Sequence, residues 1–102
     1  MRIAGANRLL DFIATHRDAE SSLNRWRQAA ENARWESLID VRRTFPTADG
    51  VYVRRRVIVT VFNIRGNNYR LLTTIVYGLE LITVLDLLTH AEYDKGKWKS
   101  KY

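Results

Sequence analysis

The sequence predicts an α+β fold in which the helices of the first half pack on an antiparallel β-meander formed by the second half. Two patterns divide the chain in this way. Apolar residues recur at helical spacing up to about residue 33, whereas Val, Ile, Thr and Tyr dominate the runs beyond residue 53. The 102 residues suit one domain, residues 1–102, and no apolar run approaches the roughly 20 residues of a membrane-spanning helix.

The first half is predicted to begin with a helical hairpin. The turn between its helices is expected at Thr15–Arg17, and Asp18 is the expected N-cap of the second helix. Two apolar stripes with the period of an α-helix support the hairpin; they consist of Ile3, Ala6, Leu10 and Ile13, followed by Ala19, Leu23, Trp26, Ala30 and Ala33.

A third short helix is predicted from about Leu38 to Thr44. Ser37 and Asp40 have the spacing of a capping box, in which two side chains bond the free backbone N–H groups at a helix start. Pro46 disfavours helical geometry in the residue before it and is therefore expected to end this helix.

Three β-rich runs are predicted as strands, at about Val53–Ile64, Tyr69–Tyr77 and Leu81–Leu88. Turns containing Gly66 and Gly78 separate them, and connections this short make neighbouring strands antiparallel. Both faces of these strands carry apolar residues. The helices would cover one face, and a partner would cover part of the other.

A small C-terminal helix is predicted after the last strand. Thr89 and Glu92 fit the capping box Thr-x-x-Glu, and Gly96 would end the helix. His90 and Tyr93 are three residues apart, so they would project from the same side of it.

The net charge of +6 lies mostly in the second half. Residues 1–50 carry +1 and residues 51–102 carry +5, and arginine outnumbers lysine by thirteen to four. Because a guanidinium makes bidentate contacts with phosphate, this charge favours a polyanionic partner, most simply nucleic acid. A basic surface without such a partner is the alternative. The absence of cysteine excludes disulfides, thiolate ligands and cysteine nucleophiles, and it fits a cytoplasmic protein.

Two basic segments each allow two interpretations. Arg54, Arg55 and Arg56 would open the first long strand, with Arg54 and Arg56 on one face, either as a phosphate-binding edge or as charges that protect the edge from pairing. The tail Lys95–Tyr102 alternates lysines with other residues, two of them aromatic. It either binds RNA by stacking and charge or is a solvated terminus.

Four residues of the second half have the chemistry that metal-free RNA cleavage requires. That reaction needs a base for the 2′-OH, an acid for the leaving oxygen and cations for the phosphorane. A histidine such as His90 can serve as base or acid, whereas Tyr93 can do so only in strongly cationic surroundings. Arg70 and Lys95 would stabilise charge. The alternative is that His90 is a solvent-exposed helix residue and Tyr93 a packing residue.

No metal or other cofactor is expected. His16 and His90, the only histidines, do not have metal-ligand spacing, and Glu92 and Asp94 would point to opposite helix faces. The sequence also lacks Gly-x-Gly-x-x-Gly, P-loop and Gly-x-Ser-x-Gly motifs.

Three ordered segments resemble the HigB-type toxins of bacterial type II toxin–antitoxin systems. They are Arg43-x-Phe45-Pro46-x-Ala48-Asp49, Phe62-Asn63-Ile64-x-Gly66-Asn67-x-Tyr69-Arg70-Leu71 and Thr89-His90-x-Glu92-Tyr93-Asp94. The resemblance covers most of the chain from about Ser37 onward. It implies a RelE-like fold, with N-terminal helices on an antiparallel sheet and a small C-terminal helix. It also implies an mRNA endonuclease that works without metal, usually in the ribosomal A site.

The resemblance also implies roles for individual residues. Arg70 would contact the scissile phosphate, and Asn63 and Asn67 would support the geometry of the site. The C-terminal side of the site would be lined by His90, Tyr93 and Lys95. The expected RNA-binding residues are Arg54, Arg56, Arg65, Asn67 and Lys97. The long, arginine-rich approach to Phe62 departs from the family pattern, so Arg54–Arg56 are candidates for ribosome or RNA contacts or for antitoxin docking.

The implied partners are mRNA, the ribosome and a HigA-type helix-turn-helix antitoxin, with no membrane partner. The antitoxin would neutralise the toxin and repress the shared operon, so DNA would be contacted only through the antitoxin complex. The alternative function is a non-catalytic basic module that binds RNA or a protein.

Overall fold

The computed structural model describes residues 1–102 and contains a five-stranded sheet with helices on both faces. Its elements are β1 (Arg2–Ala4), α1 (Asn7–Thr15), α2 (Glu20–Asn32), α3 (Leu38–Thr44), β2 (Asp49–Tyr52), β3 (Ile58–Ile64), β4 (Tyr69–Val76), β5 (Leu81–Thr89), α4 (His90–Asp94) and α5 (Trp98–Lys101). Short 3₁₀ helices span Arg17–Ala19 and Tyr77–Leu79. The predicted α+β class, the N-terminal helices and the small C-terminal helix are confirmed. None of the helices is long and apolar enough to cross a membrane.

The predicted antiparallel meander of three strands is present as β3–β4–β5. The sequence did not predict β2, which pairs with β3 at one edge of the sheet, or β1, which lies beside β5 at the other. β1 runs parallel to β5, with Arg2 opposite Leu81 and Ala4 opposite Thr83. The sequence placed Ile3 in the first helix, and this was wrong. The chain turns from β1 into α1 at Gly5, which has a φ of +79° and lies so close to β5 that a Cβ would be 2.9 Å from the Val84 carbonyl oxygen.

Helices α1, α2 and α3 cover one side of the sheet, called here the first face. Trp26 of α2 packs edge-on against Phe62 of β3, with ring centroids 5.3 Å apart, and both are almost fully buried. The predicted apolar stripe of α1 was right at Ile13 and wrong at Leu10. Ile13 and Leu9 are buried, whereas Leu10 is 61% exposed.

Only one of the three predicted N-terminal caps is formed. Thr89 and Glu92 make the expected capping box at α4, with N···O distances of 2.9 and 3.2 Å. Asp18 does not cap α2, whose N-cap is Ala19. Ser37 occupies the N-cap of α3 but makes no side-chain bond there. The partner expected for it, Asp40, instead accepts the backbone N–H of Glu36 at 2.9 Å.

The strand predicted at Val53–Ile64 begins only at Ile58, and the residues before it form a loop that joins β2 to β3. The connection, called here the arginine loop (Val53–Val57), is closed by a hydrogen bond from the Val53 N–H to the Val57 carbonyl, 3.1 Å long. Arg56 has a left-handed φ of 59°. Arg54, Arg55 and Arg56 therefore lie in an exposed turn, and the prediction that they alternate across a strand was wrong.

Helices α4 and α5 cover part of the other side of the sheet, called here the second face. Trp98 of α5 is only 5% exposed and packs with Val59 and Leu72. The tail is therefore folded onto the sheet, and its interpretation as a solvated terminus was wrong. The C-terminal helices of the chain therefore cover part of the second face, which the sequence analysis expected a partner to cover.

Candidate active site

Arg70 lies on the second face, in the middle of three neighbouring strands. It is opposite Asn63 of β3 and opposite Leu88 of β5. Its Nη1 donates to the backbone carbonyls of Asn67 and Tyr69, at 3.0 and 3.2 Å. These bonds hold the guanidinium in place, and they leave the N–H groups of Nε and Nη2 free to bind an anion.

Tyr93 of α4 lies against Arg70. The guanidinium carbon is 5.4 Å from the centre of the Tyr93 ring, and the ring stacks on Trp98 at 5.2 Å. Burial raises the pKa of Tyr93, the Asp49 carboxylate adds to the rise, and the Arg70 guanidinium opposes it. The surroundings are therefore mixed rather than strongly cationic. At neutral pH the phenol keeps its proton, so it can donate a proton but is not a base.

His90 begins α4 and pairs with an acid on the same helix. Its Nδ1 is 2.7 Å from Oδ2 of Asp94, four residues later. Its backbone N–H donates to the carbonyl of Asn68 at 3.0 Å. A carboxylate at Nδ1 favours a proton on that nitrogen, which leaves Nε2 as the nitrogen that faces a ligand. The structure therefore brings Arg70 and Tyr93 into contact, whereas the His90 imidazole is not hydrogen-bonded to either of them and is linked to this region by its backbone bond to Asn68.

Lys95 and Lys97 line a cavity of about 360 Å³ between β5 and the C-terminal helices. Leu88, the cross-strand neighbour of Arg70, also lines it. Lys101 on the rim pairs with Asp86 at 3.6 Å, whereas Lys95 and Lys97 form no ion pair. This cavity therefore adjoins the Arg70 region, and its lysines share it with the carboxylates of Asp86 and Glu92.

The expected RNA-binding arginines are divided between different parts of the surface. The Arg54 backbone N–H is 3.5 Å from the Lys99 carbonyl, which brings the arginine loop beside α5. Arg56 instead lines a mainly apolar cavity of about 550 Å³ at the other end of the sheet. Arg65 pairs with Asp18 at 3.2 Å, and Asn67 accepts a bond from Asn63 at 3.3 Å.

Sequence reasoning missed four residues that act on this region. Asp94 could have been found, because it stands four positions after His90 on a predicted helix. Trp98 and Asp49 act on Tyr93, and Asp18 acts on Arg65, only because the tertiary fold brings them together. Nothing in the local sequence around these three residues indicates the contacts. No group of three or more His, Asp or Glu side chains is placed to hold a metal ion.

Comparison with models of known protein families identifies the family of this chain. The family described as "HigB_toxin, RelE-like toxic component of a toxin-antitoxin system" matches residues 19–96. This range contains α2, the whole meander and α4, and it includes Arg70, His90 and Tyr93. A search of the curated proteins found no match. Since the family match covers more than half of the 102 residues, the chain belongs to the HigB family of RelE-like toxins, the toxic components of toxin–antitoxin systems.

Proposed function

We propose that this toxin is a metal-independent endoribonuclease that cleaves mRNA on the ribosome in the cytoplasm. Residues 1–102 would act as one RelE-like domain. The observation that carries the proposal is the Arg70–Tyr93 contact on the second face. The His90–Asp94 pair is on the same short helix as Tyr93. Together these residues supply a cation, a protonated phenol and an imidazole, which are the groups that RNA cleavage without a metal requires.

In the proposed reaction the 2′-oxygen attacks the adjacent phosphorus, and the bond from phosphorus to the 5′-oxygen breaks. Nε2 of His90 takes the 2′-OH proton, with Asp94 stabilising the imidazolium that forms. Tyr93, whose raised pKa keeps the phenol protonated at neutral pH, donates that proton to the leaving 5′-oxygen. Positioned acid–base groups of this kind contribute about 10²–10⁴-fold to a rate.

Arg70 would stabilise the charge that develops on the phosphorane. Its Nη1 is anchored to two carbonyls, so the free N–H groups of Nε and Nη2 are held in place before the phosphate arrives. Lys95 would add a second cation from the neighbouring cavity. Losing one preorganised donor of this type costs about 10²–10³-fold in kcat.

The RNA strand would continue over the cations that border the site. Arg54 and Lys97 are exposed and form no ion pair, and the arginine loop lies beside α5. Asn67 would help through its bond to Asn63 rather than by charge. Arg65 is paired with Asp18 and Arg56 lines the cavity at the other end of the sheet, so we assign both of them secondary contributions.

The test is cleavage of mRNA in a translation reaction with purified ribosomes. Wild-type protein should cut translated mRNA, whereas Arg70→Ala and His90→Ala should lose most of this activity and remain folded by circular dichroism. Arg25→Ala, an exposed arginine on α2, is the matched control and should cut normally. If wild type and both site variants bind RNA equally and none cleaves it, the chain is a non-catalytic RNA-binding module and the enzyme proposal is wrong.

We further propose that the antitoxin partner is a HigA-type helix-turn-helix protein. It would neutralise this toxin and contact operator DNA, so this chain would meet DNA only within the complex. Co-expression with a helix-turn-helix protein encoded beside the toxin gene should restore growth and yield a stable complex. Growth arrest that persists despite abundant expression of that neighbour would contradict this assignment.

A further inference from the structure

The turn between β3 and β4 holds an unfavourable backbone conformation. This segment, called here the β3–β4 turn (Arg65–Asn68), has left-handed φ angles of 51° at Arg65 and 62° at Gly66. Glycine adopts this conformation freely, but a residue with a Cβ does not. The turn has its own hydrogen bond from the Asn68 N–H to the Arg65 carbonyl, 3.2 Å long, and contacts from outside that hold Arg65 help to offset the cost of its conformation.

Asp18 makes those contacts from the opposite layer of the molecule. Its Oδ1 accepts the Tyr69 hydroxyl at 2.6 Å, and its Oδ2 pairs with Nη1 of Arg65 at 3.2 Å. The two partners flank the turn, one where it begins and one just after it ends. The Tyr69 ring is itself held edge-on by Phe12 and His16, with centroids 5.2 and 5.5 Å away. The α1–α2 junction thus holds both ends of the turn.

The same turn supports two groups of the candidate site. The Asn67 carbonyl accepts Nη1 of Arg70 at 3.0 Å. The Asn68 carbonyl accepts the backbone N–H of His90, the first residue of α4, at 3.0 Å. A shift of the turn would therefore move the Arg70 guanidinium and the start of α4 together.

We propose that Asp18 is a positioning residue for the candidate site, acting through Arg65, Tyr69 and the β3–β4 turn. The inference deepens the proposed ribonuclease function and rests on it. In this arrangement Arg65 is a structural partner of Asp18 rather than a contact for RNA. Asp18 itself lies on the first-face side and takes no part in the chemistry.

The test compares Asp18→Asn with wild type in the mRNA cleavage reaction. The asparagine keeps an acceptor for the Tyr69 hydroxyl but loses the charge that pairs with Arg65. Since misplacing a reacting group by about 1 Å costs on the order of 10²-fold, kcat should fall about 10- to 100-fold while KM changes less than about twofold. Tyr69→Phe removes one hydroxyl only and should lower kcat in the same way, which provides a second, milder variant should Asp18→Asn fold poorly.

Arg65→Gly tests whether Asp18 acts through Arg65. Glycine adopts the left-handed conformation without help from Asp18, so adding Asp18→Asn to Arg65→Gly should lower kcat much less than Asp18→Asn does in the wild-type protein. If Asp18→Asn lowers kcat equally in both backgrounds, Asp18 does not act through Arg65 and the proposal is overturned.

A spectroscopic readout keeps this inference separate from the proposed function. In Asp18→Asn the NMR resonance of the Arg70 Nε–H group should shift, and the His90 amide should exchange with solvent faster, whether or not the wild-type protein cleaves RNA. If the wild-type protein does not cleave RNA but both signals change in Asp18→Asn, only the proposed enzyme function is refuted. An unchanged Arg70 resonance and unchanged His90 exchange in both Asp18→Asn and Tyr69→Phe would overturn the positioning role.

Discussion

At the scale of single residues, the site depends on the shape of the Arg70 side chain as much as on its charge. A guanidinium can bond two backbone carbonyls through one nitrogen and still present two others to a phosphate. A lysine ammonium has three donors at one point and cannot do both. The Tyr93 ring adds a flat surface that the guanidinium covers.

Arg70→Lys is therefore expected to behave nearly like Arg70→Ala. The charge is kept, but the planar donors are lost, so kcat for mRNA cleavage should fall about 10²-fold or more. Single-turnover cleavage on ribosomes measures this, with Arg25→Lys as the matched exposed control. Activity of Arg70→Lys within about threefold of wild type would mean that only a point charge is needed there.

Tyr93 leads to a prediction about pH. Burial and Asp49 raise its pKa above the ordinary value of 10.0, so the phenol is fully protonated throughout the neutral range. A proton donor of this kind makes Tyr93→Phe slower by a constant factor from about pH 6 to about pH 9. Cleavage rates of both proteins across this range should give parallel curves. A difference between wild type and Tyr93→Phe that grows with pH would show that the phenolate takes part.

At the scale of elements, the capping box of α4 stabilises the folded state, and its contribution to the free energy of unfolding depends on pH. Hydrogen bonds from Thr89, first the backbone N–H and then the side chain, lower the pKa of Glu92. The folded state therefore binds the Glu92 proton less readily than the unfolded chain does. The contribution is fully present above the ordinary pKa of 4.5 and is lost as the pH falls through the lowered folded value.

Two variants test the role of the capping box. Thr89→Ala removes the N-cap and should lower the free energy of unfolding by about 1 kcal/mol in urea titrations near neutral pH. Glu92→Gln should have a lower free energy of unfolding than wild type near neutral pH, and this difference should disappear as the pH falls below the ordinary glutamate pKa of 4.5. Glu36→Gln, at an exposed site whose carboxylate is not hydrogen-bonded, is the control and should track wild type at every pH. If the free energy of unfolding depends on pH in the same way in Glu92→Gln and in wild type, the Glu92 carboxylate does not stabilise the fold through the capping box.

The elements that sequence reasoning found are those with a repeated local signal. α2, α3, β4, β5 and α4 have helical stripes, alternation or a capping box, and their bounds are close to the expected ones. β1 has only three residues and no period of its own, and its Ile3 fits the spacing of the following helix by chance. The sequence did not reveal the arginine loop because Val53 and Val57, at its two ends, resemble the residues of a continuous strand.

The site was predictable in part for the same reason. Arg70 and Tyr93 belong to ordered motifs, and the structure brings them into contact. Arg65 belongs to the same motif, but whether its side chain faces RNA or Asp18 depends on the left-handed turn and on the α1–α2 junction. Such long-range pairing leaves no trace in the local sequence.

At the scale of the whole molecule, the two faces of the sheet have different tasks. The first face is buried under α1–α3 and supplies most of the core. The second face is covered only by the short helices α4 and α5, and the C-terminal half that builds it carries +5 of the total charge of +6. The second face therefore holds Arg70 and Tyr93, and the cavity beside it holds Lys95 and Lys97.

This separation predicts how salt affects RNA binding by the variants. Each phosphate contact contributes about −0.7 to the slope of log K against log salt for a single strand. Replacing Arg54 and Lys97 together by alanine should therefore make the slope less steep by about 1.4, measured by fluorescence anisotropy at several salt concentrations. Replacing Arg25 and Arg27 of α2 removes the same charge from the other layer and should leave the slope unchanged, since neither lies near the second face. Equal flattening by both double variants would mean that RNA responds to net charge alone rather than to a track beside Arg70.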